Sequence, residues 1–333
     1  MVGNPLDKRD IFSFLADQSA NGRRTALVSL VGASGSSMRE PGAHMAVAED
    51  GAFVGSLSGG CIERAVIAEA REAIAAAMPR VTRFGAGSRY IDIRLPCGGG
   101  VDLHFQPLQD DALARQALCA IEARQPFALD LSTDARAPRF VPEWQPTGWH
   151  ASQGLATIGH WPNPRLLIVG HGAALARLAW QGRAWGAAIA LITPDTALAA
   201  QLSQEGFDAA VIGFPRETGP LVSDAWTAVV FLFHDHEWEP ALIAHALQQP
   251  HFFIGAMGSR RAHAARCEAL RLLGISDAQI ASLSAPVGLF HSVRDPATLA
   301  VSVLAEVADR FRTHVAFATQ IPAPAISQIR QIG

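Results

Sequence analysis

Leu166-Leu167-Ile168-Val169-Gly170-His171-Gly172-Ala173-Ala174-Leu175 joins an unbroken apolar run to a glycine turn and then to residues at helical spacing. A short run that is apolar on both faces reads as a strand covered on both sides, as in a parallel sheet. The alternation continues outward. A helix is predicted to about Arg183, a strand over Ala187 to Ile192 and a helix over Ala197 to Glu205. Further strands are predicted at Ala209 to Ile212, Ala228 to Phe233 and Phe252 to Ala256, with helices over Glu239 to Gln248, Ser259 to Leu273 and Pro296 to Phe311. Strands alternating with helices give an α/β, Rossmann-like domain with a doubly wound parallel sheet.

Ligands of such sheets bind beyond the carboxyl ends of the strands. Here those ends carry Gly170-His171-Gly172, Thr193-Pro194-Asp195, His234-Asp235-His236 and Gly258-Ser259-Arg260-Arg261. A serine opening a helix beside two arginines is a candidate phosphate site. His234 and His236 lie two apart and share one face of an extended chain. One such pair is half a metal site, so a polar ligand contact or a structural hydrogen bond is the better reading. The dinucleotide fingerprint is incomplete, because Leu175 stands where a third Gly or Ala belongs.

The first half of the chain is organised around Gly55-Ser56-Leu57-Ser58-Gly59-Gly60-Cys61-Ile62-Glu63. Short strands at Ala46 to Ala48 and Ala52 to Val54 precede it, and a helix over about 62–78 follows. Glycines allow positive φ and close backbone approach, and free N–H groups in such a turn form an anion cradle. Cys61 would then lie in the first helical turn, where a thiolate is favoured. The helix terminus contributes only about 0.3–1 kcal/mol, and Glu63 opposes ionisation. A cation such as Arg64 or Arg39, or a metal, has to supply the rest. For a lone cysteine the plain reading is a small hydrophobe in a tight turn.

The surroundings of Cys61 change that balance. A helix over Asp10 to Asp17 and a strand over Thr25 to Val31 lead into Gly32 to Met45, a loop whose Ser36, Ser37 and Arg39 suit an oxyanion. Strands are predicted at Val81 to Phe84 and Tyr90 to Leu95, and then Pro96-Cys97-Gly98-Gly99-Gly100 nearly mirrors Gly-Gly-Cys. Val101, Leu103 and Phe105 continue as a half-buried strand. Two cysteines beside glycine pairs at strand edges suit a soft ligand pair or a sulfur donor and acceptor. Zinc fits poorly without a CxxC or a matching histidine pair.

These stretches resemble the XdhC/CoxI family: Gly35-Ser36-Ser37 with Arg39 and Pro41-Gly42-Ala43-His44-Met45, then Gly55 to Glu63, then Cys97-Gly98-Gly99. The likeness runs on through His234-Asp235-His236-Glu237, Ile254 to Arg261, Pro286-Val287-Gly288-Leu289 and Ala300 to Glu306. Thr193, Glu239 and Phe290 stand where the family commonly has Asp. With Asp195 two residues late, ribose recognition of an ordinary NAD(P) is not expected.

The resemblance implies an N-terminal α+β XdhC/CoxI-type domain followed by the Rossmann-like domain. It implies an accessory protein that binds molybdenum cofactor, as molybdopterin or its cytosine dinucleotide form. Such a protein supports sulfuration of the cofactor and inserts it into a molybdenum hydroxylase of the xanthine dehydrogenase or aldehyde oxidase type. It is a non-catalytic chaperone before it is an enzyme. Implied partners are the apo-hydroxylase subunit, a cysteine desulfurase, cofactor-synthesis enzymes and a second copy in a homodimer. Cys61 and Cys97 are the residues expected to do the chemistry, with Cys61 touching molybdenum. Ser36, Ser37, Arg39, Ser58, Gly59, Gly60, Gly98, Gly99, Gly170, Gly172, His234, Ser259 and Arg260 are expected to hold the cofactor, in a cleft between the domains. The alternatives are an NAD(P)-dependent oxidoreductase, with His171 or His234 as proton donor, and a scaffold that only docks partners.

Composition agrees with this class. The 333 residues suit two domains, divided at Pro162-Asn163-Pro164 into 1–162 and 163–320, with a tail over 321–333. Pro126 to Pro164 reads as the end of the first domain plus a linker, with strands at Phe127 to Leu131 and Gly154 to Ile158. Apolar residues make up 49% and charged residues 17%, a core-rich balance. A net charge of −3 offers nothing to nucleic acid, and no apolar run has membrane-helix length. The opening residues lack a signal-peptide core. Four cysteines in such a length are no disulfide framework. Cys119 and Cys267 lie in helical patterns and read as core, and the expected compartment is a reducing cytoplasm.

Overall fold

The structure is a computed structural model that describes residues 8–35, 39–58, 60, 62–88, 90, 95, 98–134, 136–235, 237–290 and 293–318. The chain divides into two compact units, one reaching to Pro162 and the other starting at Asn163.

In the first unit, α1 (Lys8–Ala20) precedes β1 (Thr25–Ser34), β2 (His44–Ala48), β3 (Phe53–Gly55), α2 (Glu63–Ala76), β4 (Arg80–Gly85) and β5 (Gly100–Leu108). Then come α3 (Ala112–Glu122), β6 (Phe127–Ser132), β7 (Arg139–Val141), β8 (Gly148–His150) and β9 (Leu155–His160). One sheet has the order β3-β2-β1-β5-β4, with every described pairing antiparallel. Successive side chains of its strands point to opposite faces. Val28, Leu30, Met45, Leu103 and Phe105 pack with Val66, Ala70 and Ile74 of α2. Leu27, Val31 and Ala46 pack with α1, α3, β6 and β9.

Residues 127–160 form a second antiparallel sheet, β7-β6-β9-β8, in which β6 and β9 answer to the strands expected at 127–131 and 154–158, while β7 and β8 lie in the stretch read as linker. Phe127, Leu129 and Leu131 of β6 are buried with Ala156 and Ile158 of β9, so this stretch builds core. Cys119 is a second correction. The buried stripe of α3 is Leu113, Ala114 and Ala117, and a residue two further on points away from it. Cys119 is exposed, whereas Cys267 is half-buried against the core of the second unit. Tyr90 and Leu95 lie outside any strand, and residues 91–94 between them fall outside the described residues.

The second unit runs β10 (Arg165–Gly170), α4 (Ala173–Trp185), β11 (Ala188–Thr193), α5 (Thr196–Gln204), β12 (Asp208–Val211), β13 (Thr227–Leu232), α6 (Glu239–Leu247) and β14 (Phe253–Ala256). It closes with α7 (Arg260–Leu272), α8 (Asp277–Ala281) and α9 (Pro296–Ala318). Its sheet is parallel throughout, in the order β12-β11-β10-β13-β14. Leu167, Val169, Val229 and Phe231 face α6, α7 and α8. Leu166, Ile168, Val230 and Leu232 face α4 and α9. That is the doubly wound architecture. Among the described residues, no helix is long and apolar enough to cross a membrane.

Candidate functional site

Strand register brings the cysteine-bearing stretches of the first unit to one end of one sheet. Ser34, at the end of β1, pairs with Gly100 at the start of β5, and Gly100 pairs with Gly85 at the end of β4. Met45, near the start of β2, pairs with Gly55 at the end of β3. The 35–43 loop, the turn after Gly55 and the connection from Gly85 to Gly100 therefore all leave the sheet at that end. Along β1 the turn after Gly55 is level with Val28, through Met45, and the Gly85 and Gly100 ends are level with Ser34, six residues further on.

Ser36, Ser37, Gly59, Cys61 and Cys97 lie outside the described residues. Gly35 and Gly99 approach so closely that a Cβ on Gly35 would lie 3.2 Å from Gly99 Cα. This contact joins the serine loop to the Cys97 turn. Ala86 N donates to Gly99 O at 2.9 Å and Gly98 N to Leu95 O at 2.8 Å. Arg83 donates to Asp102 at 2.8 Å, to Ser34 Oγ at 2.5 Å and to Ala86 O at 2.8 Å. Arg83 and Asp102 are direct cross-strand partners, so their pairing follows from register.

The turn after Gly55 departs from the expected anion cradle. Glu63 folds back into it and accepts from Ser56 Oγ at 2.6 Å, Ser58 Oγ at 2.7 Å, and the N–H groups of Leu57, Ser58 and Ile62 at 3.2, 3.0 and 3.2 Å. Burial pushes this carboxyl upward, but the serine hydroxyls and backbone donors outweigh it and hold it at about 2. The donors expected to be free are taken by an anion of the chain itself. Ser58, expected to touch cofactor, instead donates to Glu63 and accepts from Ile62 N at 3.1 Å. The helix starts at Glu63, one residue later than the sequence spacing implies. In sequence, serines at 56 and 58 ahead of a glutamate at the helix start showed the residue types but not the direction of the carboxylate.

A second buried carboxylate on α2, Glu69, accepts from Tyr90 OH at 2.5 Å and from Arg80 and Thr82 at 3.2 Å each. Sequence reasoning missed it. Among the described residues, none lies within 4 Å of where a Cβ would stand on Gly60 or Gly98, whose φ angles are +114° and +70°.

In the second unit the order of strands reverses between β10 and β13, where a doubly wound sheet leaves its ligand crevice. His171 follows β10 and His234 follows β13, with ring centroids 5.8 Å apart. Gly170 touches the neighbouring strand, since a Cβ there would lie 2.5 Å from Leu232 O, whereas Gly172 is open. Ser259 caps α7 by accepting from Ala262 N at 3.1 Å, and Arg260 and Arg261 are exposed on its first turn. His236 lies outside the described residues.

The departures at Leu175, Asp195 and Glu239 have structural roles. Leu175 is on the buried face of α4 and packs in the core with β10 and β13. Asp195 caps α5, accepting from Ala197 N and Leu198 N at 3.0 Å each. Glu239 is buried against Arg266 at 2.7 Å. Phe290 keeps a half-exposed ring while its N–H donates to Ser302 Oγ at 2.7 Å.

Comparison with known proteins fits this arrangement. The family described as XdhC and CoxI matches residues 18–85, and the XdhC Rossmann domain matches residues 166–307. The molybdenum cofactor insertion chaperone PaoD of Escherichia coli is 34% identical over 303 residues, which cover 91% of this chain and 88% of that protein. The uncharacterized protein YqeB of Escherichia coli is 26% identical over 85% of this chain, which spans only 42% of YqeB. A crystal structure described as a xanthine dehydrogenase from Bacillus halodurans shares the fold. Its TM-score is 0.73 at 19% identity, over 91% of this chain and 96% of that one.

Proposed function

The chain belongs to the XdhC and CoxI family, and from that membership we propose that it binds molybdenum cofactor as cargo and inserts it into a molybdenum hydroxylase of the xanthine dehydrogenase or aldehyde oxidase type. The observation that carries this reading is the convergence of the 35–43 loop and both cysteine-bearing stretches at one sheet end. The cargo combines a soft, dithiolene-bound metal with a pterin and a terminal phosphate. Thiols suit the metal and a transferred sulfur.

In this reading Cys61 contacts molybdenum and Cys97 serves beside it, with Ser36, Ser37 and Arg39 on the oxo groups. Sulfur for the metal's sulfido ligand comes from a cysteine desulfurase. The cargo's phosphate or nucleotide end is held at the switch point of the parallel sheet by Gly170, Gly172, His234, Ser259 and Arg260. The protein acts as a homodimer in the cytoplasm, and hands the cofactor over without turnover of its own.

The test is retention. Full-length protein loaded with molybdenum cofactor and desalted should keep molybdenum and pterin in equal amounts, and Cys61→Ala should lose the metal. Equal retention by Cys61→Ala removes the thiol from the mechanism. Failure of the unaltered chain to retain either component removes the carrier role.

A further inference from the structure

At the sheet end where β1 stops and β5 begins, one guanidinium meets three separate stretches of the chain. From β4, Arg83 donates through Nη2 to Ser34 Oγ at the end of β1 and through Nη1 to Asp102 of β5. Its Nε donates to Ala86 O, in the connection between β4 and β5. Each partner is itself tied down. Ala86 N donates to Gly99 O at 2.9 Å, and Ser34 Oγ donates to Gly100 O at 3.4 Å. Asp102 stands over Gly32 of β1, where a Cβ would lie 3.0 Å from its Oδ2. The bonds close a ring from β1 through Gly99 and Gly100 and back to β4. A Cβ on Gly100 would lie 2.8 Å from Arg83 Nη2, so the guanidinium rests against bare backbone.

Strand register accounts for Asp102 alone. The bonds to Ser34 and Ala86 need the planar fork of an arginine, since an ammonium is a point charge that cannot serve three acceptors set in different directions. Arg83 and Asp102 are 33% and 32% exposed, and an ion pair open to water to that extent adds little stability. The arrangement sets positions more than it adds strength.

We propose that Arg83 is a positioning residue for the cargo: it fixes the end of β1 to the glycine turn that enters β5, and the grip on the cargo depends on the spacing it sets. The inference rests on the cofactor-carrier reading, in which Gly98 and Gly99 hold cargo, and adds the side chain that holds those glycines.

Three full-length variants separate the fork from the charge. Arg83→Lys keeps a cation beside Asp102 and loses the fork. Asp102→Asn keeps an acceptor for Nη1 and loses the ion pair. Arg83→Gln loses both. Hydrogen exchange on cofactor-free protein reads the clamp, in peptides covering 30–35 and 98–102, with 227–232 of β13 as the reference. Molybdenum and pterin left after loading and desalting read the grip. Arg83→Lys and Arg83→Gln should speed exchange in both peptides together, with 227–232 unchanged. They should cut retention at least about tenfold, the lower end of what losing a supporting partner costs a bound metal. Asp102→Asn should keep exchange and retention close to those of the unaltered chain, and all three should melt within a few degrees of it.

Full retention by Arg83→Lys overturns the proposal, because the charge alone would then suffice. So does a loss by Asp102→Asn as large as that by Arg83→Lys, faster exchange in only one of the two peptides, or a rise shared with 227–232. If the unaltered chain retains no cargo, the carrier reading falls and the grip with it, while the exchange rates still decide whether Arg83 joins the two stretches.

Discussion

Arg266 of α7 and Glu239 at the start of α6 form a buried ion pair, with Nη2 and Nε of the guanidinium 2.7 and 3.0 Å from the same carboxylate oxygen. Nη2 also donates to Met257 O at 2.8 Å. One buried side chain thus ties the connection that follows β13 to the one that follows β14, and these carry His234 and Ser259. Breaking a buried pair on one side leaves an uncompensated charge and costs about 3–5 kcal/mol, whereas replacing both partners by apolar groups is often near neutral. Glu239→Gln and Arg266→Met should each lower the urea midpoint of the full chain sharply. The double variant Glu239→Leu with Arg266→Met should recover most of the loss. Additive losses would show that the two groups are not coupled.

Acid should weaken the first unit before most of its carboxylates gain a proton. His44, His104 and His160 are buried between its sheets. Burial is the first cause that lowers all three, taking His104 to about 4, and nearby Lys8 lowers His44 and His160 further. His44 Nε2 and His160 Nε2 lie 3.2 Å apart, and His44 Nδ1 lies 2.8 Å from Ser29 Oγ. Phe12 and Phe127 flank the His160 ring.

Unfolded histidines titrate near 6.5. Below that pH the unfolded chain binds more protons, so stability falls as pH drops from about 6.5 toward 4, by up to about 1.4 kcal/mol per pH unit for each histidine. Glu63, held at about 2, loses its contribution as pH falls from about 4.5 toward 2, below the range of the exchange measurement. Hydrogen exchange of peptides covering 44–48 and 155–160 should therefore speed up between pH 7.5 and 5.5, once corrected for the intrinsic rate. His160→Phe should flatten that dependence. Protection that stays constant across the window would contradict the assignment.

The parallel sheet was legible because each of its strands is apolar on both faces and each helix between them keeps its spacing. Within residues 127–160, β6 and β9 were legible and β7 and β8 were not, because these two are three residues long, lie among Pro and Trp, and gain their order only by pairing with β6 and β9. At the site, the motif stretches were visible but their wiring was not. Nothing in the spacing of Ser56, Ser58 and Glu63 tells whether the carboxylate turns toward the donors or away from them. The pairing of Arg83 with Asp102, by contrast, follows once the register of β4 and β5 is known.

Two glycines of one turn should differ in what they tolerate. At Gly170 an added Cβ meets Leu232 O at 2.5 Å, so Gly170→Ala must part β10 from β13 near the switch point. At Gly172 there is space, and the obstacle is a backbone at φ 80°, ψ −172°, a region that costs other residues about 1–3 kcal/mol. Thermal unfolding should rank Gly170→Ala well below Gly172→Ala. A reversed order would mean that the two strands do not meet as closely as the geometry has them.

Asp195 separates capping from nucleotide recognition. Its carboxylate closes the first turn of α5 through Ala197 N and Leu198 N, and replacing such a cap by Ala costs about 0.5–2 kcal/mol. A nicotinamide-dependent enzyme would instead need this acid, the one nearest the end of β11, for a ribose. Asp195→Ala should therefore lower the melting temperature by a few degrees and leave the tryptophan fluorescence titration with NAD(H) or NADP(H) as it was. If the unaltered chain binds either nucleotide at micromolar concentration and Asp195→Ala abolishes that binding, the acid is reading a ribose. The second unit would then have to be treated as a redox domain.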